Sequence, residues 1–235
     1  MKLNRWMLIS TVALSIAGFL LVRAFAGESP KVLRGDPRRG GEIVAIGTDY
    51  GVVACARCHA FDGTADGSGA FPKLSGISSY YLAKQLRDFA SGLRTDAIMS
   101  AIARRMKAED IADVSEYYSG VSGTPTPAPQ ASPDLLALGT RLATVGDQEK
   151  EIQACEACHG PQGRGESPAI PPLAGQYAPY IAFQMRMWRM GYRKNDANQQ
   201  MANIAKRLNA QDIEAVGLYF EGLPQQGIAK NKRQP

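Results

Sequence analysis

Every cysteine and histidine of this 235-residue chain falls in one of two five-residue stretches, Cys55-Ala56-Arg57-Cys58-His59 and Cys155-Glu156-Ala157-Cys158-His159. Two thiols with two residues between them can add their sulfurs to the vinyl groups of a haem, and a histidine following at once can take an axial position on its iron. A structural zinc site would need four ligands, with Cys-x-x-Cys pairs about 15–20 residues apart, whereas Cys58 and Cys155 are 97 positions apart. A thioredoxin-like pair has no use for the histidine. Disulfides, which suit an exported protein, leave both histidines unexplained. The doubled motif therefore predicts two covalently attached c-type haems, one at Cys55, Cys58 and His59 and one at Cys155, Cys158 and His159.

The ligand opposite each histidine decides the chemistry. No histidine or cysteine is left over, so the leading candidate is a methionine thioether, which stabilises ferrous iron and raises the reduction potential. Of eight methionines, only Met99 and Met201 occupy equivalent positions, 40 and 42 residues past their histidines. Apolar packing is the competing role for such residues. It suits Met106, whose counterpart is Leu208, and Met185, Met187 and Met190, which align with Leu86, Asp88 and Ser91. The expected iron ligands are His59, Met99, His159 and Met201.

The elements that must position these residues are themselves repeated. Gly40 and Ile43 match Gly139 and Leu142 at an offset of 99. Phe71-Pro72-Lys73-Leu74-Ser75-Gly76 matches Ile170-Pro171-Pro172-Leu173-Ala174-Gly175, and Tyr81, Gln85, Gly92 and Arg94 match Tyr180, Gln184, Gly191 and Arg193. After three extra residues in the second copy, Asp110-Ile111 matches Asp212-Ile213. A continuous register of this kind marks a duplicated domain. Each copy reads as helical. Asp36-Pro37 is a helix start, and Tyr81, Gln85 and Phe89 recur four apart over a helix from Tyr80 to Phe89. The last helices carry Ile111, Val114 and Tyr118, and Ile213, Val216 and Phe220, with Asn209 as a cap that Lys107 replaces poorly. No strand pattern is convincing, so an all-α fold is expected. The domains are 35–120 and 134–225, joined by a Pro-rich, semi-stiff linker over 121–133. Charge and periodicity leave open whether the two copies pack together.

The ends differ from this body. Lys2 and Arg5 precede an apolar run over residues 6–22, and Ala24-Phe25-Ala26 has the form of a signal-peptidase site, so residues 1–26 read as a signal peptide or an N-terminal membrane anchor. Export agrees with covalent haem attachment and places the chain in the periplasm. The net charge of +5 lies mostly in this leader, and the basic tail at 226–235 reads as solvated. No basic stripe remains to bind nucleic acid.

The paired haem motifs, the two proline loops, the Tyr-Leu-x-Lys-Gln-Leu helix, the Gly-x-Arg turns and the Asp-Ile helices together make residues 35–225 resemble the dihaem cytochromes of the cytochrome c4 type. The resemblance implies two tandem class I cytochrome c domains, each a small helical shell around a covalent haem and joined head to head. It also implies His/Met ligation of both irons, with the carbonyls of Pro72 and Pro171 orienting the histidines. The implied function is electron transfer without catalysis, between a quinol-oxidising complex and a terminal oxidase of a respiratory chain. The runner-up is the cytochrome subunit of a specific periplasmic dehydrogenase. A dihaem peroxidase or sulfur-compound oxidoreductase is the enzymatic alternative, but no spare acid, base or thiol is at hand to serve it.

Overall fold

The computed structural model describes residues 34–225, all within one compact unit. The leader and the basic tail lie outside the described residues. Among the described residues no helix is long and apolar enough to cross a membrane.

In the first copy, α1 (Pro37–Ile46) is followed by α2 (Ala56–His59), α3 (Ser79–Ser91), α4 (Met99–Ala103) and α5 (Ala108–Gly120). The second copy runs α6 (Pro133–Thr144), β1 (Gly146–Asp147), β2 (Ile152–Gln153), α7 (Glu156–His159), α8 (Ala178–Arg189), α9 (Gln200–Arg207) and α10 (Ala210–Glu221). The small antiparallel hairpin β1–β2 was not anticipated. Two residues per strand are too few for an alternating pattern to register.

Local chemistry sets the helix starts. Asp36 accepts from the Arg38 N–H at 2.9 Å, ahead of Pro37, and Ser78 accepts from the Tyr81 N–H at 3.1 Å. Asn209 and Asp212 form a reciprocal capping box. Lys107 cannot accept, but Asp110 reaches back to the Lys107 N–H at 2.8 Å, so half of the box survives. In each copy the first helix crosses the last so closely that a Cβ at Gly40 or Gly139 would strike the carbonyl of Asp113 or Ala215. That contact requires glycine. The crossings enclose two separate cores, Ile43, Val44, Leu82, Val114 and Tyr118 in one copy and Leu142, Ile181, Ile213, Val216 and Phe220 in the other.

Asp110 is also a pH-dependent staple. Burial pushes its pKa up, but hydrogen bonds from Tyr50, the Lys107 N–H and Arg39 outweigh this and hold it below the ordinary value. A depressed carboxylate stabilises the fold above its unfolded pKa of about 3.9, and the contribution disappears as pH falls through the folded value. Asp110→Asn is expected to cost about 1–3 kcal/mol near neutrality. The gap between its thermal midpoint and that of the native chain should close in acid.

The two copies dock, as the resemblance implied, a point that charge and periodicity left open. Their seam is polar and nearly two-fold symmetric. Arg94 donates to Gln85 Oε1 of its own copy at 2.9 Å, and across the seam to Tyr180 Oη and Gln184 Oε1 at 2.8 Å. Arg193 mirrors it, donating to Gln184 Oε1 at 2.7 Å and across to Tyr81 Oη and Gln85 Oε1 at 3.1 Å. Gly92 and Gly191, at φ +85° and +75°, turn the chain out of α3 and α8 so that these arginines meet, with Arg94 and Arg193 also paired as an antiparallel backbone bridge. The linker is stitched down as well. The Thr124 carbonyl accepts from Lys73 Nζ at 2.8 Å, and Thr126 Oγ1 donates to the Gly175 carbonyl at 2.7 Å.

Candidate functional site

Each Cys-x-x-Cys-His stretch folds as one helical turn, closed by the His59 N–H to the Cys55 carbonyl at 3.0 Å and the His159 N–H to the Cys155 carbonyl at 2.9 Å. Residues i, i+3 and i+4 share a helix face, so both thiols and the imidazole of a copy are brought together. Cys55 packs against the first core and Cys155 against the second. None of the four cysteines is in a disulfide.

Both histidines are buried, and both meet a proline carbonyl: His59 Nδ1 to Pro72 at 3.1 Å and His159 Nδ1 to Pro171 at 2.9 Å. A carbonyl only accepts, so Nδ1 carries the proton and the Nε2 lone pair is left for a metal. Burial lowers the pKa of both rings, outweighing the carbonyl bond, and favours the neutral form that ligation needs. The loops presenting Pro72 and Pro171 are fixed by equivalent bonds, Leu74 N–H to Gly63 at 2.8 Å and Leu173 N–H to Gly163 at 2.7 Å.

Met99 opens α4 and Met201 stands second in α9, both half-buried. They are carried by elements separate from the histidines. An aspartate steadies each short helix, a feature the sequence reading missed. Asp96 accepts from the Met99 N–H at 2.8 Å, and Asp196 accepts from the Ala202 N–H at 3.0 Å. Leu208 and Met185 are buried, Met106 packs beside the first core and Met190 is exposed, consistent with packing and surface roles.

This donor set fits a c-type haem in each copy. Two thiols and a tautomer-fixed imidazole share one face, and among the described residues no cluster of three or more His, Cys, Asp or Glu side chains is placed to hold a bare metal ion. A second fit lies at the seam. Arg94 and Arg193 are 6% and 5% exposed, and their side-chain hydrogen bonds go to neutral amide and phenol oxygens. Burial and the neighbouring Arg94 together pull the Arg193 pKa down, whereas for Arg94 burial is outweighed by the phenols of Tyr180 and Tyr81 and the carboxylate of Asp96, which raise it. The Arg193 cation in such surroundings calls for an anion, and haem carries carboxylates. The repeated Gly-x-Arg was visible in the sequence as a turn, but its spacing carried no sign of burial.

Residues 49–122 and 148–224, one stretch around each haem motif, match the cytochrome c family. The chain belongs to that family. The cytochrome is 36% identical over 225 residues to a thiosulfate dehydrogenase electron acceptor of Stutzerimonas stutzeri, covering 96% of this chain and 98% of the relative. Among solved structures, reduced cytochrome c4 from Pseudomonas stutzeri superposes with a TM-score of 0.71 at 32% identity, over 80% of this chain and 99% of that one. Thiosulfate dehydrogenase TsdBA from Marichromatium purpuratum, in its as-isolated form, gives 0.73 at 37% identity over 80% of this chain; the cytochrome spans 40% of that longer protein. The cytochrome is thus a dihaem electron carrier of the cytochrome c4 type, all-α, with two cytochrome c domains and two covalent haems.

Proposed function

We propose that the cytochrome works in the periplasm as a one-electron relay, with one iron held by His59 and Met99 and the other by His159 and Met201. Bound haem supplies reversible one-electron iron chemistry. The chain's own part is to hold the ligands, exclude water and present both sites in one body. The observation that carries this reading is the repeated histidine-to-proline-carbonyl bond in two docked domains, which leaves the Nε2 of each ring available to an iron on a shared frame. A haem propionate could supply the anionic charge that the buried Arg193 lacks.

The electron donor we favour is a periplasmic thiosulfate-oxidising dehydrogenase. Its support is the near end-to-end match with a protein named as the electron acceptor of thiosulfate dehydrogenase. A quinol-oxidising complex upstream and a terminal oxidase downstream form the second reading, supported by the match to cytochrome c4. Mixing the oxidised cytochrome with a thiosulfate dehydrogenase and thiosulfate, or with a quinol-oxidising complex and quinol, separates them by the rate at which the haem bands become reduced. Rapid reduction by the quinol complex alone would select the second reading.

The ligand assignment has its own test. The oxidised protein should show a weak sulfur-to-ferric-iron band at the red end of its spectrum, scaled to two haems. Met99→Ala and Met201→Ala should each remove half of it. An undiminished band would mean that other residues ligate iron, and turnover of peroxide would replace the carrier reading with an enzymatic one.

A further inference from the structure

One peptide unit in the first domain is hydrogen-bonded at both ends, and the second domain cannot reproduce it. The Pro72 carbonyl, which accepts from His59 Nδ1, belongs to the same peptide as the Lys73 N–H. That N–H donates at 3.0 Å to Oε1 of Gln176, a buried residue of the second domain. Gln176 Nε2 in turn donates to the Lys73 carbonyl at 3.1 Å, so its amide grips residue 73 from both sides. At the equivalent positions of the other copy stand Pro172, which has no N–H, and Ile77, which has no amide. Lys73, Ile77, Pro172 and Gln176 line one small cavity between the domains, so the two halves of this near-symmetric arrangement face each other there.

We infer that Gln176 is a positioning residue for His59, reaching from the second domain through the Pro72–Lys73 peptide to tune the first haem alone. Hydrogen bonds in a chain polarise one another. Accepting from the Lys73 N–H makes the Pro72 carbonyl a better acceptor for the His59 Nδ1–H. The imidazole becomes more basic, as partners behind a metal-bound histidine generally make it. A more basic axial nitrogen favours ferric iron, so the first haem is held at a lower potential than its own domain would set. The Pro171–Pro172 peptide is a tertiary amide and cannot be polarised from its nitrogen side.

This inference rests on His59 being an axial ligand, so the test reads ligation and tuning separately. In Gln176→Leu the reduction potential of one haem should rise, by up to about tenfold in the ferrous-to-ferric preference, or about 59 mV for one electron. The other haem should stay where it was. In the reduced protein the His59 Nδ1–H resonance should move upfield as its bond weakens, while that of His159 holds. Gln225→Ala is the control. It removes another bond from the second domain to the same loop, Gln225 Nε2 to the Ser75 carbonyl at 2.6 Å, without touching the Pro72–Lys73 peptide, and should shift neither potential. Equal shifts at both haems, no shift at either, or the same shift in Gln225→Ala would overturn the inference. A native reduced protein whose His59 imidazole resonances lack the ring-current shift of an iron-bound ring would instead reject the ligand assignment beneath it.

Discussion

Replacing Cys155 and Cys158 together by alanine is expected to cut the covalent haem content from two to one per chain and to melt most of the second domain's helix. Cys155 packs directly on the core of Leu142, Ile213, Val216 and Phe220, as does Met201 from another element. Turn α7 and helix α9 are thus joined to the crossing of α6 and α10 at the place where the cofactor would sit. A domain of about 90 residues buries a modest share of its surface, and a ligand bound only to the native state stabilises by mass action. Intact-mass measurement should show the loss of one haem, and far-ultraviolet dichroism a drop in helix concentrated in one of two transitions. The first domain keeps its own core and its own Cys55-to-His59 turn, so half of the haem absorbance should survive. Retention of native helix with one haem missing would mean that packing alone holds the second domain.

Arg94→Leu should lower stability by about 3–5 kcal/mol, less than the sum of its bonds because it also relieves the repulsion between Arg94 and Arg193. The guanidinium makes two bonds across the seam and one within its own domain, and hydrogen bonds to a charged group are worth about 1.5–3 kcal/mol each. Leucine also leaves Tyr180 without the Arg94 donor inside a closed interface, while Gln184 keeps its bond from Arg193. The thermal midpoint of the seam transition and the radius of gyration from small-angle scattering should both change, the second because the domains separate. The double variant Arg94→Leu with Arg193→Leu should cost more than the sum of the singles. The two cations share Gln85 and Gln184 as acceptors and repel one another, so the first substitution relieves the repulsion and leaves both acceptors with a donor, and the second removes more than the first. Full additivity would show that the two arginines act independently.

The chemistry of this cytochrome was legible because its attachment sites are local. Cys55 to His59 fits on one turn, and all that the turn requires is written in five residues. The helices were legible where apolar residues recur on one face, as in Ile213, Val216 and Phe220. Docking was legible only through the resemblance, because the seam is built from Gln, Tyr and Arg, residue types that lie on the surface of most proteins. Lys73 illustrates the difficulty. A lysine in a Gly- and Pro-rich loop reads as solvated, yet here it is 2% exposed, with its ammonium on the Thr124 carbonyl and 5.5 Å from the centre of the Tyr177 ring. The aspartates under the methionine helices escaped for a related reason. Asp96 and Asp196 lie outside a strict 99- or 102-residue register, so comparing the copies position by position passes over them.

The linker between Gly120 and Pro133 has a kinetic consequence. Should the polar seam open, the second domain remains tethered within a short chain length of the first, at an effective concentration in the millimolar range for a short linker. Opening and closing are then events within a single molecule, independent of dilution, and the anchors at Thr124 and Thr126 shorten the slack further. A polar, water-compatible seam that would dissociate as two free proteins can therefore stay shut at cellular concentrations.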